Sequence, residues 1–214
     1  MQMKQIARLA VLFLGWTVLG ATSGLSQTSV AASVFGAFSG TTNGNGTVES
    51  PSNAAGTLIE LRHISNPLIG YEATYSFNRA NEVYRPTAFT TTVCPGLVPS
   101  CQPEPISADA HEISGDWVVS AKIANLRPFA LAGLGVMFDE PVTPSGVTSI
   151  ATSSATEAVY IYGAGLDWGL IPHLGLRFQY RGNLYKAPDL SRLYTSTNAF
   201  THTAEPMIGA YFRF

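Results

Sequence analysis

His63 and Ser65 stand two positions apart, which in a strand puts a hydroxyl and an imidazole on one face, the arrangement of a nucleophile beside its base. A working pair also needs a third group to orient the imidazole, and no carboxylate stands in step with them. The other histidines offer less. His111 and Ser114, like His202 and Glu205, are three apart and fall on opposite strand faces, and His173 sits in a turn. Gly163-Ala-Gly165-Leu-Asp-Trp-Gly169 lacks the spacing of a phosphate loop and lies within a strand pattern instead of opening a helix. Cys94 and Cys101 enclose Pro-Gly-Leu-Val-Pro-Ser, and in an exported chain such a pair reads as a disulfide pinning a loop; a metal site would need further ligands nearby. No catalytic role, cofactor or metal is therefore expected. The chemistry that remains is ionic: Glu60, Arg62, Glu72, Glu112, Asp116, Lys122, Asp167, Arg177, Arg181, Glu205 and Arg213 recur at alternate places within otherwise apolar stretches.

Those stretches read as eight strands, over about 31–39, 56–64, 68–78, 111–122, 129–139, 156–170, 174–185 and 199–214. In the clearest, Leu174, Leu176, Phe178, Tyr180 and Leu184 share one face, and Arg177, Gln179, Arg181 and Asn183 the other. The last strand sets Ile208, Ala210, Phe212 and Phe214 against Met207, Gly209, Tyr211 and Arg213. Short turns are expected at 64–67, 125–128 and 171–174, each with a proline. Longer links at about 39–55, 86–109, 141–155 and 187–198 are rich in Ser, Thr, Pro, Gly and Asn.

Composition points the same way. Charged residues make up 12% of the chain, glycines number 20, and no segment after the first two dozen residues approaches the ~20 apolar residues of a membrane helix. Lys4 and Arg8 followed by the eleven-residue run Leu9 to Leu19 and then small polar residues form a secretory signal layout, with cleavage after Ala21, Ser23 or Ser26. Residues 1–26 are taken as the leader and 27–214 as one domain. Removing Lys4 and Arg8 from the 12 basic residues leaves 10 against 14 acidic ones, a charge near −4, and no basic patch that would suit nucleic acid.

The segment Asn66-Pro67-Leu-Ile-Gly70-Tyr-Glu-Ala, the run Pro172-His-Leu-Gly-Leu-Arg177-Phe-Gln-Tyr, and the terminal Tyr211-Phe-Arg-Phe214 resemble the eight-stranded outer-membrane β-barrel domain family, OmpA-like or OmpX-like, across nearly all of 27–214. The resemblance implies an all-β, antiparallel up-and-down transmembrane barrel in a bacterial outer membrane, monomeric and surrounded by lipid. It implies an assembly machinery that reads the last strand through Ile208, Ala210, Phe212 and Phe214, tight periplasmic turns, and longer external loops. It implies no common enzymatic activity. His63-Ile64-Ser65-Asn66 is also similar to the His-x-Ser segment of the lipid A 3-O-deacylase family, but it lies at a turn expected on the periplasmic side, away from the outer leaflet where that chemistry occurs.

A lipid-facing Arg or Lys at mid-bilayer costs roughly 2–4 kcal/mol, so the apolar faces must look outward and the charged ones into the lumen. An eight-stranded barrel has room only for side chains. The expected interior is thus plugged, with Arg177, Arg181 and Arg213 bridging to carboxylates and Gly133, Gly135, Gly163 and Gly165 making room for them. The implied role is structural or surface-interacting, with the 86–109 loop and its Phe89, Leu97 and Val98 as a possible extracellular contact. A narrow channel opened by rearranging the same ions is the alternative, and a lipid-modifying enzyme a third. A soluble lipocalin-like carrier would need the reverse orientation, an apolar lumen and a polar exterior.

Overall fold

The computed structural model describes residues 27–66, 68–87, 103–142 and 152–214. The leader, Pro67, Cys94, Cys101, Phe89, Leu97 and Val98 lie outside them. Ten strands follow in order: β1 (Gln27–Ser39), β2 (Thr42–Gly44), β3 (Thr47–Pro51), β4 (Ala54–Ile64), β5 (Ile69–Pro86), β6 (Glu104–Ser120), β7 (Leu126–Pro141), β8 (Ala155–Ile171), β9 (Leu174–Lys186) and β10 (Phe200–Arg213). All but β2 and β3 close into a ring. Each neighbouring pair is antiparallel, and β1 joins both β4 and β10, so Val30 faces Leu61 on one side and Phe212 on the other. Closure leaves no unpaired strand edge within the barrel wall, which is what a hydrocarbon environment demands.

The side-chain alternation explains the wall. Val34, Ile59, Trp117, Leu134, Tyr160 and Phe212 are exposed on the outside, while Glu60, Arg62, Glu72, Arg177 and Arg181 are almost wholly buried within. The outward apolar surface is continuous around the ring, so the orientation is that of a membrane barrel and not of a carrier with a greasy interior. Outward charges begin at Arg79 and Asp109, which pair at 2.5 Å on neighbouring positions of β5 and β6, with Glu140 beside Asp109 on β7. That cluster of charge marks the upper edge of the apolar belt on β5–β7.

Local chemistry makes the tight turns. Asn66 Oδ1 accepts hydrogen bonds from the Leu68 and Ile69 amides at 3.0 and 2.8 Å, an Asx turn between β4 and β5. Ile123 and Leu126 bridge around Ala124, whose φ is 55°, so the β6–β7 turn lies just before the expected 125–128 and Arg127-Pro128 already belong to β7. Both chain ends of the barrel sit at this turn end, since Ser29 faces Arg213.

The loop end differs from expectation. β5 and β6 pair as far as Tyr84 and Glu104, well past the anticipated limits at Asn78 and His111. Arg79, Asn81 and Glu82 break the apolar alternation there, but above the belt the outer face can be polar while Tyr84, Ile106 and Ala108 continue inward. Within the anticipated 39–55 loop, β2 and β3 form a hairpin around Asn45-Gly46, with φ of 49° and 79°, the left-handed pair of a type I′ turn; β3 then lies against β5. Residues 187–198 are not a free loop: Leu190 is fully buried against Tyr84 and Ile106.

The glycines also serve other neighbours than anticipated. A Cβ on Gly165 would stand 2.4 Å from the Phe129 ring and one on Gly133 2.1 Å from Asp116, while Gly163 and Gly135 meet Leu131, Ile161 and backbone. They admit Phe129, Leu131 and Asp116, not the arginines. Replacing Gly165 with Leu should therefore overpack the lumen and cost about 1–3 kcal/mol in urea unfolding followed by heat-modifiable gel migration. Gly115 faces lipid with open space around its Cα, so Gly115→Ala should leave the midpoint unchanged or slightly raised.

Candidate functional site: an ion-paired lumen and its two mouths

Strand register places the lumen charges opposite one another. Arg62 on β4 is the direct cross-strand partner of Glu72 on β5, and Asp167 on β8 that of Arg177 on β9. Arg62 Nε donates to Glu72 Oε2 at 2.7 Å and lies 3.1 Å from Glu60 Oε1. Arg177 takes Asp167 in a two-pronged contact, Nε at 2.6 Å and Nη2 at 2.8 Å, and its Nη1 reaches across to Glu60. Arg62 Nη1 stands 3.5 Å from Asp167, which joins the two halves into one layer. The Phe129 ring turns its face to both guanidinium groups, 4.0 Å from Arg62 Cζ and 5.3 Å from that of Arg177, a separation at which the ring face attracts both cations.

A second layer sits nearer the loop end. Arg181 Nη2 donates to Glu112 at 2.5 Å and to Ser114 Oγ at 2.8 Å, Asn183 donates to Glu112 at 3.0 Å, and Thr74 and Ser114 are bonded at 2.6 Å. Asp116 accepts from Ser114 at 3.0 Å. Glu205, buried beside Arg181 across the β9–β10 ladder, also faces the lumen. Lys122 and Arg213 stand apart from both layers: Lys122 follows β6 at the turn end, and Arg213 meets Tyr211 instead of a carboxylate, so it is not one of the bridging arginines expected from sequence.

The mouths carry opposite chemistry. At the loop end, above the belt, Glu49, Glu82 and Glu104 are buried around Tyr84, whose hydroxyl donates to the Pro188 carbonyl at 2.7 Å; Ser191 bonds Glu104. Burial pushes the Glu49 carboxyl up to about 8, against the pull of Tyr84 and Thr42, and holds Glu82 well above the ordinary range with Glu49 and Asp139 adding to the effect. At the turn end a cavity of about 300 Å³ is lined by Lys122, Arg127, Asp167, Tyr211 and Arg213.

His63 faces outward from β4, bonded to Thr28 Oγ1 at 2.9 Å and tilted over Tyr71. His111 and His202 likewise take outward tyrosines, Tyr75 and Tyr162, each at 2.8 Å. Among the described residues none of these histidines is held by a carboxylate, and no group of His, Cys, Asp and Glu is arranged to hold a metal. The β10 residues Ile208, Ala210, Phe212 and Phe214 project outward at the rim. Sequence reading missed Phe129, Tyr84 and Leu190 as lumen residues. For Phe129 a signal existed, since it is in phase with Arg127 on the inward face of β7.

No protein-family model matches the chain, and no curated protein sequence matches it. Solved structures do. Neisserial surface protein A superposes with a TM-score of 0.56 at 13% identity, over 90% of this chain and 100% of its own. The outer-membrane protein OprG of Pseudomonas aeruginosa superposes with 0.56 at 10% identity, over 88% and 96%. Ail, the attachment invasion locus protein of Yersinia pestis, solved with the heparin analogue sucrose octasulfate, gives 0.50 at 15% identity, over 89% and 100%. This is the eight-stranded outer-membrane barrel fold. The closed ring and the outward apolar belt are the features that the likeness rests on.

Two outcomes follow from the geometry. Arg177→Met leaves Glu60, Glu72 and Asp167 to share Arg62 alone in a space closed to water, and should cost about 3–5 kcal/mol in unfolding from lipid vesicles followed by tryptophan fluorescence. Because Glu49 and Glu82 bind their protons more tightly folded than unfolded, the loop-end cap is most stable below the unfolded carboxylate range and weakens as pH rises through about 8. Hydrogen-exchange protection of 42–51 and 82–86, corrected for intrinsic rates, should fall between pH 5 and pH 9, and Glu49→Gln with Glu82→Gln should flatten that dependence.

Proposed function

We propose that the chain is a monomeric integral protein of a bacterial outer membrane with a structural or surface-interaction role and a lumen closed to solutes. The observation that carries this reading is the ionic layer of Glu60, Arg62, Glu72, Asp167 and Arg177, which fills the barrel from β4 to β9 around Phe129. A second obstruction supports it: residues 187–198 fold into the loop-end mouth and bury Leu190 against Tyr84. A solute would have to displace both. The outward apolar belt supports insertion in lipid, and the outward Ile208, Ala210, Phe212 and Phe214 suit recognition of the last strand by the assembly machinery.

Fold alone assigns no partner, because barrels of this architecture serve several roles through what they display at their rims. The Yersinia pestis neighbour was solved with a sulfated sugar analogue. In this chain the loop-end mouth is lined by Glu49, Glu82 and Glu104, which offer no positive charge to hold a polyanion there. Contact through the 86–109 loop, with Cys94 and Cys101 joined as a staple, belongs to the same proposal, as does the absence of catalysis. The narrow channel is the less favoured reading, since Arg62, Arg177 and Arg181 are each already held by a carboxylate within the lumen.

Planar-bilayer recording of the purified barrel tests closure. Wild-type protein should give no steady unitary conductance; steady conductance would overturn the closed reading in favour of the channel.

A further inference from the structure

We propose that the turn-end mouth of the barrel is an anion-binding site for a phosphate group. Lys122, Arg127 and Arg213 converge on one cavity of about 300 Å³ from the β6–β7 connection, β7 and β10. The only carboxylate among the described lining residues is Asp167, and its two oxygens are already engaged by Arg177. None of the three cations makes an ion pair with a described residue. Arg213 has only the Tyr211 hydroxyl, at 3.2 Å, with its guanidinium 5.5 Å over that ring. Arg127 is half-buried, and its Nε is enclosed with no acceptor.

Three like charges gathered in a partly enclosed space repel one another unless an anion joins them, and a buried donor without an acceptor carries its desolvation cost unrepaid. Two guanidinium forks and an ammonium suit a multiply charged tetrahedral oxyanion better than a single carboxylate. The mouth lies at the turn end, beside the rim residues Leu170 and Ile171, which are 49% and 61% exposed. The same cations could therefore hold inorganic phosphate or the headgroup of an anionic phospholipid whose chains lie on that apolar rim. The arginines of the ionic layer do not serve, because both are buried within the barrel and already ion-paired with carboxylates. The site belongs to one end: the opposite mouth is lined by Glu49, Glu82 and Glu104, which offer an anion no counter-charge.

The test uses the full barrel in dodecyl maltoside, with no phosphate in the detergent. Inorganic phosphate is titrated by calorimetry, and short-chain phosphatidylglycerol is followed as a retained adduct by native mass spectrometry, each against phosphatidylcholine or chloride as control. Saturable binding of phosphate identifies a free anion; binding of phosphatidylglycerol alone identifies a headgroup. Either supports the site, provided that Lys122→Gln with Arg127→Gln weakens it at least roughly tenfold while Lys186→Gln at the other end does not. Both changes leave β10 intact, and heat-modifiable migration reports that the barrel has folded. Absence of saturable binding to folded wild-type protein, or unchanged binding in the folded double variant, overturns the proposal. A conducting wild-type barrel would refute the closed lumen without touching this result, so the two readings fail separately.

Discussion

Two arginines and three carboxylates share a space from which water is excluded, and the rest of the barrel is arranged around that fact. An isolated charge at such a place would cost several kcal/mol, so each guanidinium needs a carboxylate at hydrogen-bond distance and in the right plane. Direct opposition across strands supplies this: Arg62 meets Glu72, and Arg177 meets Asp167. The same pairs lock the register. A slip of one residue in β9 would turn Arg177 and Arg181 toward lipid and bring Phe178 and Tyr180 into the lumen, reversing every assignment on the strand at once. Ionic pairing inside and apolar exposure outside are thus one constraint seen from two faces of the wall.

Filling the lumen follows from the same geometry. Two guanidinium groups come close here because they share carboxylate oxygens of Glu60 and Asp167, and the Phe129 ring turns its face toward both cations. That ring needs space on the neighbouring strand, which Gly165 yields by having no side chain. Tyr211 closes the layer from below, 5.6 Å from Arg177 Cζ. Aromatic residues inside a polar lumen are therefore part of the electrostatics.

Much of this was legible in sequence, and the limits have physical causes. Strict period-two alternation over β8, β9 and β10 revealed both wall and orientation, because lipid and lumen impose opposite demands on successive residues. Above the belt lipid no longer enforces the pattern, so β5 and β6 run on unseen past Arg79 and Asp109. The Asn45-Gly46 pair was a readable hairpin signal, hidden by the low apolar content around it. Which arginine meets which carboxylate depends on register between strands far apart in sequence: Arg177 and Glu60 are 117 residues apart, and nothing local records their meeting. Arg213 was grouped with the bridging arginines because it shares their face. Its position as the last residue of β10 puts it beyond the carboxylates.

The distribution of charge along the barrel axis carries the last step. Acids gather at the loop end, paired ions fill the middle, and bases gather at the turn end. A lumen meant only to be filled would gain by neutralising each level separately, since opposite charges stabilise one another best at contact distance. Here the two middle layers hold six carboxylates against three guanidinium groups, while the turn-end mouth gathers bases, although moving one of those carboxylates to the turn end would satisfy Arg127. The bases open toward solvent at the turn end, where a counter-charge can come from outside the chain, whereas Glu49 and Glu82 at the loop end are buried beneath residues 187–198 and hold their protons. Stability accounts for the ionic middle and for the protonated acids under the loop-end cap; it does not account for bases left open at the turn end, and their chemistry is best understood as directed at what that side presents.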